Sequence, residues 1–161
     1  MGVDMVNIVD WLLLAVAIVG IYFTYVQIRH NAQTSRASFL AEMHNRIIND
    51  REIMNVFQKI DWGHFEYFPE TFPGSEEEIG LDRLLVSLDL MCMFYYQGKL
   101  KKQDIETFEY LINRLNSSNG VREYFSVLEG NILKFDVQRH PFQNFLRYSK
   151  DKFGGEALPG S

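Results

Sequence analysis

Between Trp11 and Val26 the chain carries no charge at all. The stretch reads WLLLAVAIVGIYFTYV, and only Thr24 breaks its apolar character. Ile8 and Val9 before it and Ile28 after it bring the segment to about 20 residues, which at about 1.5 Å per residue crosses a hydrocarbon layer of about 30 Å. An ordinary core strand is far shorter, and a core helix normally keeps a polar face. The run predicts an N-terminal tail and transmembrane helix over residues 1–28, then a cytoplasmic helical bundle over 29–153 and a disordered tail over 154–161. A fully buried central helix is the alternative.

One edge of the predicted helix differs from the rest. Asp10, Leu13, Ala17, Gly20, Thr24 and Gln27 alternate steps of three and four, so they share one seam. The same count continues to Asn31 and Thr34. Most of the large apolar side chains fall elsewhere. In lipid, small residues let helices approach closely and polar side chains seek protein or water. The seam therefore reads either as a packing edge in a dimer or small oligomer, or as the lining of an opening within a ring of helices. No strict small-xxx-small pair singles out the dimer.

The flanks orient the span. Asp4 and Asp10 precede it without any Lys or Arg, whereas Arg29, His30 and Arg36 follow it. Basic residues stay on the cytoplasmic side, which predicts a single span with the N-terminus outside and the C-terminal domain inside. A signal peptide fits poorly, because there is no basic leader before the apolar run and no small-residue cleavage site after it.

The net charge is −5; with Asp4 and Asp10 set aside, the 21 acids become 19 against 16 bases, or −3. That is no footprint of a general nucleic-acid binder, so double-stranded DNA is not an expected partner. The one cysteine, Cys92, excludes an intramolecular disulfide framework and sits in an apolar helical run, where a buried inert thiol is expected.

No useful strand alternation appears, and the fold class read from the sequence is all-α. Leu40, Met43 and Ile47 share a face of a helix continuing from the span to about residue 48. Asn49 with Glu52 resembles a capping box, so a break is expected near Asn49 and Asp50, with a short helix to about Ile60. Residues 61–74 form an aromatic loop (Trp62, Phe65, Tyr67, Phe68 and Phe72) that either folds over its own core or packs on a neighbouring subunit. Ser75 with Glu78 opens a helix to about Gln97, stopped by Gly98, with Leu81, Leu84, Leu85, Leu88, Met91, Cys92 and Tyr95 as its buried stripe. Asp82 and Asp89 lie two turns apart on one side of this helix, and Asp89 stands among apolar neighbours; an ordinary ion pair, with a residue such as Arg114, or a cap is expected there, with a catalytic carboxylate pair as the lesser alternative. Further helices are expected over about 103–116, 121–133 and 141–152, the last beginning at Pro141. Arg139, His140, Arg147, Lys150 and Lys152 make that end basic: a solvated face, or a contact for RNA, a nucleotide or lipid headgroups.

The chemistry-bearing motifs are missing. There is no Gly-rich phosphate loop, no Cys-x-x-Cys, no His-Glu-x-x-His and no nucleophile elbow. His30, His44, His64 and His140 fall on separate segments, and their spacing predicts no metal site. Neither an enzyme nor a cofactor is expected.

The segments YVQIRHNAQTSRA, LDRLLVSLDLMCMFYYQGKL and NSSNGVREYFSVL, behind a single span, resemble the accessory membrane proteins that travel with type VI-B CRISPR effectors. The resemblance covers most of residues 8–150 and rests on architecture and diffuse pattern. It implies an oligomeric membrane pore whose cytoplasmic domain is similar to the HEPN ribonuclease fold, and which strengthens RNA-guided antiphage defence by compromising the inner membrane. Its implied partners are further copies of the chain, membrane lipids and an RNA-guided CRISPR effector or RNA signal. HEPN ribonucleases place four to six residues between Arg and His. Here seven separate Arg36 from His44, and Arg139 directly precedes His140. The resemblance therefore implies a degenerate nuclease site, with Arg139 and His140 its nearest remnant. The functional expectation is a homo-oligomeric pore or membrane-disrupting effector. The alternatives are a non-conducting membrane-tethered scaffold or receptor and, more weakly, a residual RNA- or nucleotide-binding domain.

Overall fold

The computed structural model describes residues 3–134, 140–154 and 157–159, with side chains from residue 10 onward. Seven helices appear among the described residues, and no strand: α1 (Val3–Asn49), α2 (Arg51–Asp61), α3 (Glu76–Tyr96), α4 (Lys102–Glu106), α5 (Glu109–Ser117), α6 (Asn119–Lys134) and α7 (Gln143–Phe153). The chain divides into two units, Met1–Leu40 and Ala41–Ser161.

The first unit is helical throughout its described length, and α1 is long and apolar enough to cross a membrane. No part of its apolar window is buried within the chain.

The second unit is built around α3. Leu81, Leu84, Leu85, Leu88, Met91 and Cys92 of the expected stripe are completely buried, whereas Tyr95 at its end is only half-buried. Helix α3 packs most extensively on α2 and then on α7. The α2 contact is close because residue 80 is glycine: a Cβ there would lie 2.4 Å from the Glu52 carbonyl oxygen and 3.2 Å from Val56. Burial pushes the Cys92 thiol pKa well above its ordinary value, as an inert core thiol requires.

The helix ends follow local chemistry, with small shifts from expectation. The break after α1 falls where expected, but Asp50 is the cap, not Asn49. Asp50 is extended (φ −79°, ψ 115°), and its carboxylate accepts from the N–H groups of Glu52 (3.0 Å) and Ile53 (3.2 Å). Asn49 is still helical, so it cannot turn its side chain across the next helix start. Ser75 caps α3 as expected, accepting from Glu78 N–H at 3.1 Å. The returning Glu78 carboxylate reaches the Gly74 N–H, one residue earlier than in the standard box.

The helix expected over 103–116 is two helices. At Phe108 the N–H turns to the Ile105 carbonyl at 2.9 Å, a three-residue turn that interrupts the helical ladder and restarts it as α5. The expected loop at 116–120 shrinks to Ser118, the one residue there outside a helix. Helix α7 starts two residues beyond Pro141.

Asp89 does not meet Arg114. Its carboxylate accepts from Asn144 N–H (2.7 Å), Phe145 N–H (2.9 Å) and the Asn144 side-chain amide (3.0 Å), so it caps α7 from across the core. Arg114 instead donates to Asp61, through Nε at 2.8 Å and through Nη2 to the backbone carbonyl. The first turn of α7 has free N–H groups and no side-chain cap of its own, and these outcompete a remote guanidinium for the carboxylate.

The aromatic loop is split. Phe65 and Phe72 are buried, and Phe72, Tyr67 and Tyr124 form an edge-to-face cluster. Trp62 and Phe68 remain exposed beside a groove of about 550 Å³. Among the described residues of the tail expected to be disordered, Leu158 is buried and the Ala157 carbonyl accepts from Arg122 at 3.2 Å.

Candidate functional site

Helix α1 carries the seam. Asp10, Leu13, Ala17, Gly20, Thr24, Gln27 and Asn31 are exposed along one helix, as is every residue from 10 to 35. A Cβ built on Gly20 meets nothing within 4 Å, so nothing in the chain itself requires glycine there. The Thr24 hydroxyl donates to the Gly20 carbonyl at 2.9 Å, and Thr34 does the same to His30 at 3.1 Å. Both hydroxyls thus return their protons to their own helix, which lets threonine tolerate an apolar environment. Their oxygens keep lone pairs to offer outward.

The rest of the circumference is equally bare. Thirteen large apolar side chains from Trp11 to Ile28 are exposed, from 43% at Val26 to 71% at Ile21. Leaving them in water forfeits about 1.5–3 kcal/mol each, or roughly 20–40 kcal/mol in sum. A domain's entire folding stability is about 5–15 kcal/mol. The helix therefore needs a cover that the chain does not supply.

The second candidate lies in the other unit. Arg139 falls outside the described residues. His140 is engaged locally: its Nδ1 accepts from the Phe142 N–H at 3.1 Å, just before α7. Its ring stacks on Phe125 at 5.8 Å, and its Nε2 is buried without a partner. Burial lowers its pKa below the ordinary 6.5, against the opposing pull of Glu129 and Asp89. The neutral ring with Nδ1 as acceptor fits this setting, and a protonated ring would face one N–H donor with another. Asp82 and Asp89, two turns apart on α3, are engaged separately: Asp82 accepts from Tyr124 at 2.5 Å, while Asp89 caps α7. Among the described residues no cluster of His, Cys, Asp or Glu could hold a metal ion.

The lowered His140 pKa has a testable sign. Between the folded-state value and the unfolded value near 6.5, the unfolded chain binds the extra proton, so this residue's contribution is intact above pH 6.5 and declines as pH falls below it. The thermal midpoint of the detergent-solubilised protein should drop between pH 7.5 and 5.5 by more in the wild type than in His140→Gln, which keeps an acceptor but does not titrate. Asp82, whose pKa burial raises, acts in the opposite direction and is common to both proteins.

Comparison with known protein families, curated proteins and solved structures finds no match to the chain.

Proposed function

We propose that this chain is a homo-oligomeric inner-membrane pore, or a membrane-disrupting accessory effector, acting in CRISPR-linked antiphage defence. The observation that carries the reading is the uncovered helix α1: an apolar surface too costly to leave in water, with an edge along it that is small or polar at every position but Leu13. Lipid would cover the large side chains, and the seams of neighbouring copies would face one another across an opening. In this reading Asp10, Gly20, Thr24 and Gln27 border the path, the N-terminus lies outside, and the second unit is a cytoplasmic helical domain, HEPN-like, that holds the spans together. The defence role, and an RNA-guided effector or RNA signal upstream, come from the resemblance to type VI-B accessory proteins. No catalytic step belongs to the proposal; the engagement of the His140 ring by the Phe142 N–H and by Phe125 supports that.

Replacing Gly20 and Thr24 together by leucine should abolish membrane depolarisation, read with a potential-sensitive dye in cells, while protein level and assembly size stay unchanged. Undiminished depolarisation by that variant, at equal protein level, would sink the pore. The back-bonded Thr24 favours a second reading, a non-conducting tethered scaffold, since a seam whose hydroxyls are already satisfied packs well against another helix. Under that reading an unrelated apolar span of equal length restores function.

A further inference from the structure

Helix α1 has a second organised face, opposite the seam. At about 100° per residue, Trp11, Ile18, Tyr22, Tyr25 and Arg29 fall within roughly 40° of one line, on the far side from Gly20, Thr24 and Gln27. Tyr22 and Tyr25 are 64% and 61% exposed, and Arg29 is exposed beside them. The three side chains sit three and four residues apart, one above another along about 10 Å of helix. Charge in this region is one-sided: from Asp10 to Glu42 no carboxylate intervenes, although the whole chain carries −5. Arg29 is the first charge after Asp10, and an anionic group is the partner its charge favours.

We infer that Tyr22, Tyr25 and Arg29 form a binding site for the phosphate of an anionic lipid headgroup at the inner end of the apolar run. The inference rests on the spanning reading of α1. Tyrosines concentrate at the level of the headgroups, where the ring lies in the acyl boundary and the hydroxyl reaches polar groups. Arginine extends its apolar stem along the helix and presents a planar fork that pairs bidentately with phosphate oxygens. The layer between hydrocarbon and water is about 5–7 Å deep on each side, which matches the rise from Tyr25 to Arg29. The seam and this face then divide the helix: protein or water on one side, lipid with a fixed headgroup on the other.

The test uses the full-length protein reconstituted in vesicles of phosphatidylcholine with one third phosphatidylglycerol. Resistance to alkaline extraction reports whether the helix spans; spin-labelled phosphatidylglycerol and phosphatidylcholine report which headgroup it selects. The expected result is an extraction-resistant protein that prefers phosphatidylglycerol about fivefold, the factor one interfacial arginine supplies. Arg29→Gln should bring the preference close to one, and Tyr22→Phe with Tyr25→Phe should reduce it, both variants remaining extraction-resistant. An integral protein with equal association for the two lipids, or an unchanged preference in Arg29→Gln, overturns the headgroup site and leaves the span standing. Extraction of the wild type by alkali overturns both. Loss of the preference with excess inorganic phosphate, but not with sodium chloride at the same ionic strength, would overturn the assignment to a lipid.

Discussion

Gly80→Ala should lower the thermal midpoint of the protein by roughly 10 °C, whereas Gly130→Ala, in α6, should raise it slightly. The two substitutions add the same methyl group to a helix. At position 80 that methyl would stand 2.4 Å from the Glu52 carbonyl oxygen and 2.7 Å from its carbon, both backbone atoms of α2 that no rotamer change can move aside. The whole of α2 must back away from α3, and this is the most extensive helix contact of the second unit. Overpacking of this kind costs about 1–3 kcal/mol, and a backbone obstruction belongs at the upper end. For a unit of this size each kcal/mol moves the midpoint by about 3–5 °C. At position 130 the added methyl meets nothing within 4 Å, so only the helix propensity changes, by about 0.5–1 kcal/mol in favour of alanine. Circular dichroism melts of the two variants in detergent decide it; a Gly80→Ala protein as stable as wild type would contradict the close α2–α3 approach.

Asp89→Ala is the second large effect, expected at about 2–3 kcal/mol. The substitution removes the acceptor for three hydrogen bonds at the start of α7, two of them from backbone N–H groups in a partly buried position. Loss of an ordinary N-cap costs about 0.5–2 kcal/mol, and bonds to a charged acceptor are stronger than neutral ones. Asp89→Asn keeps one oxygen acceptor and should lose about half as much. Hydrogen exchange separates this from general destabilisation: the amides of Asn144 and Phe145 should lose protection first and most, ahead of those of α3. Uniform loss along the chain would mean that Asp89 does not act through α7.

These two residues show where reading the sequence stops. Asp89 was legible as a carboxylate among apolar neighbours that needed a partner. Which partner it took was not, because Asn144 lies 55 residues away and the deciding groups are backbone N–H groups, which every residue except proline possesses. Gly80 looked like any helical glycine until α2 was laid against it. The interruption at Phe108 was hidden for a similar reason, since Ile105, Phe108, Ile112 and Leu115 keep helical spacing on both sides of it and all four are buried. His140 drew notice as a possible remnant of a nuclease pair, yet its ring is occupied by a neighbouring backbone group that the sequence pattern does not mark.

Local signals carried the rest. The charge-free run Trp11–Val26, the apolar stripe of α3, the serine that caps it and the glycine that ends it act within one or two helical turns. Their physical meaning does not depend on what lies elsewhere, so the all-helical class, the long apolar N-terminal helix and the central helix followed from the order of residues alone. The capping of α7 from α3, the clearance at Gly80 and the burial of Leu158 required the tertiary structure, because each depends on distances between segments far apart in the chain, and those distances are set by the packing of the whole unit.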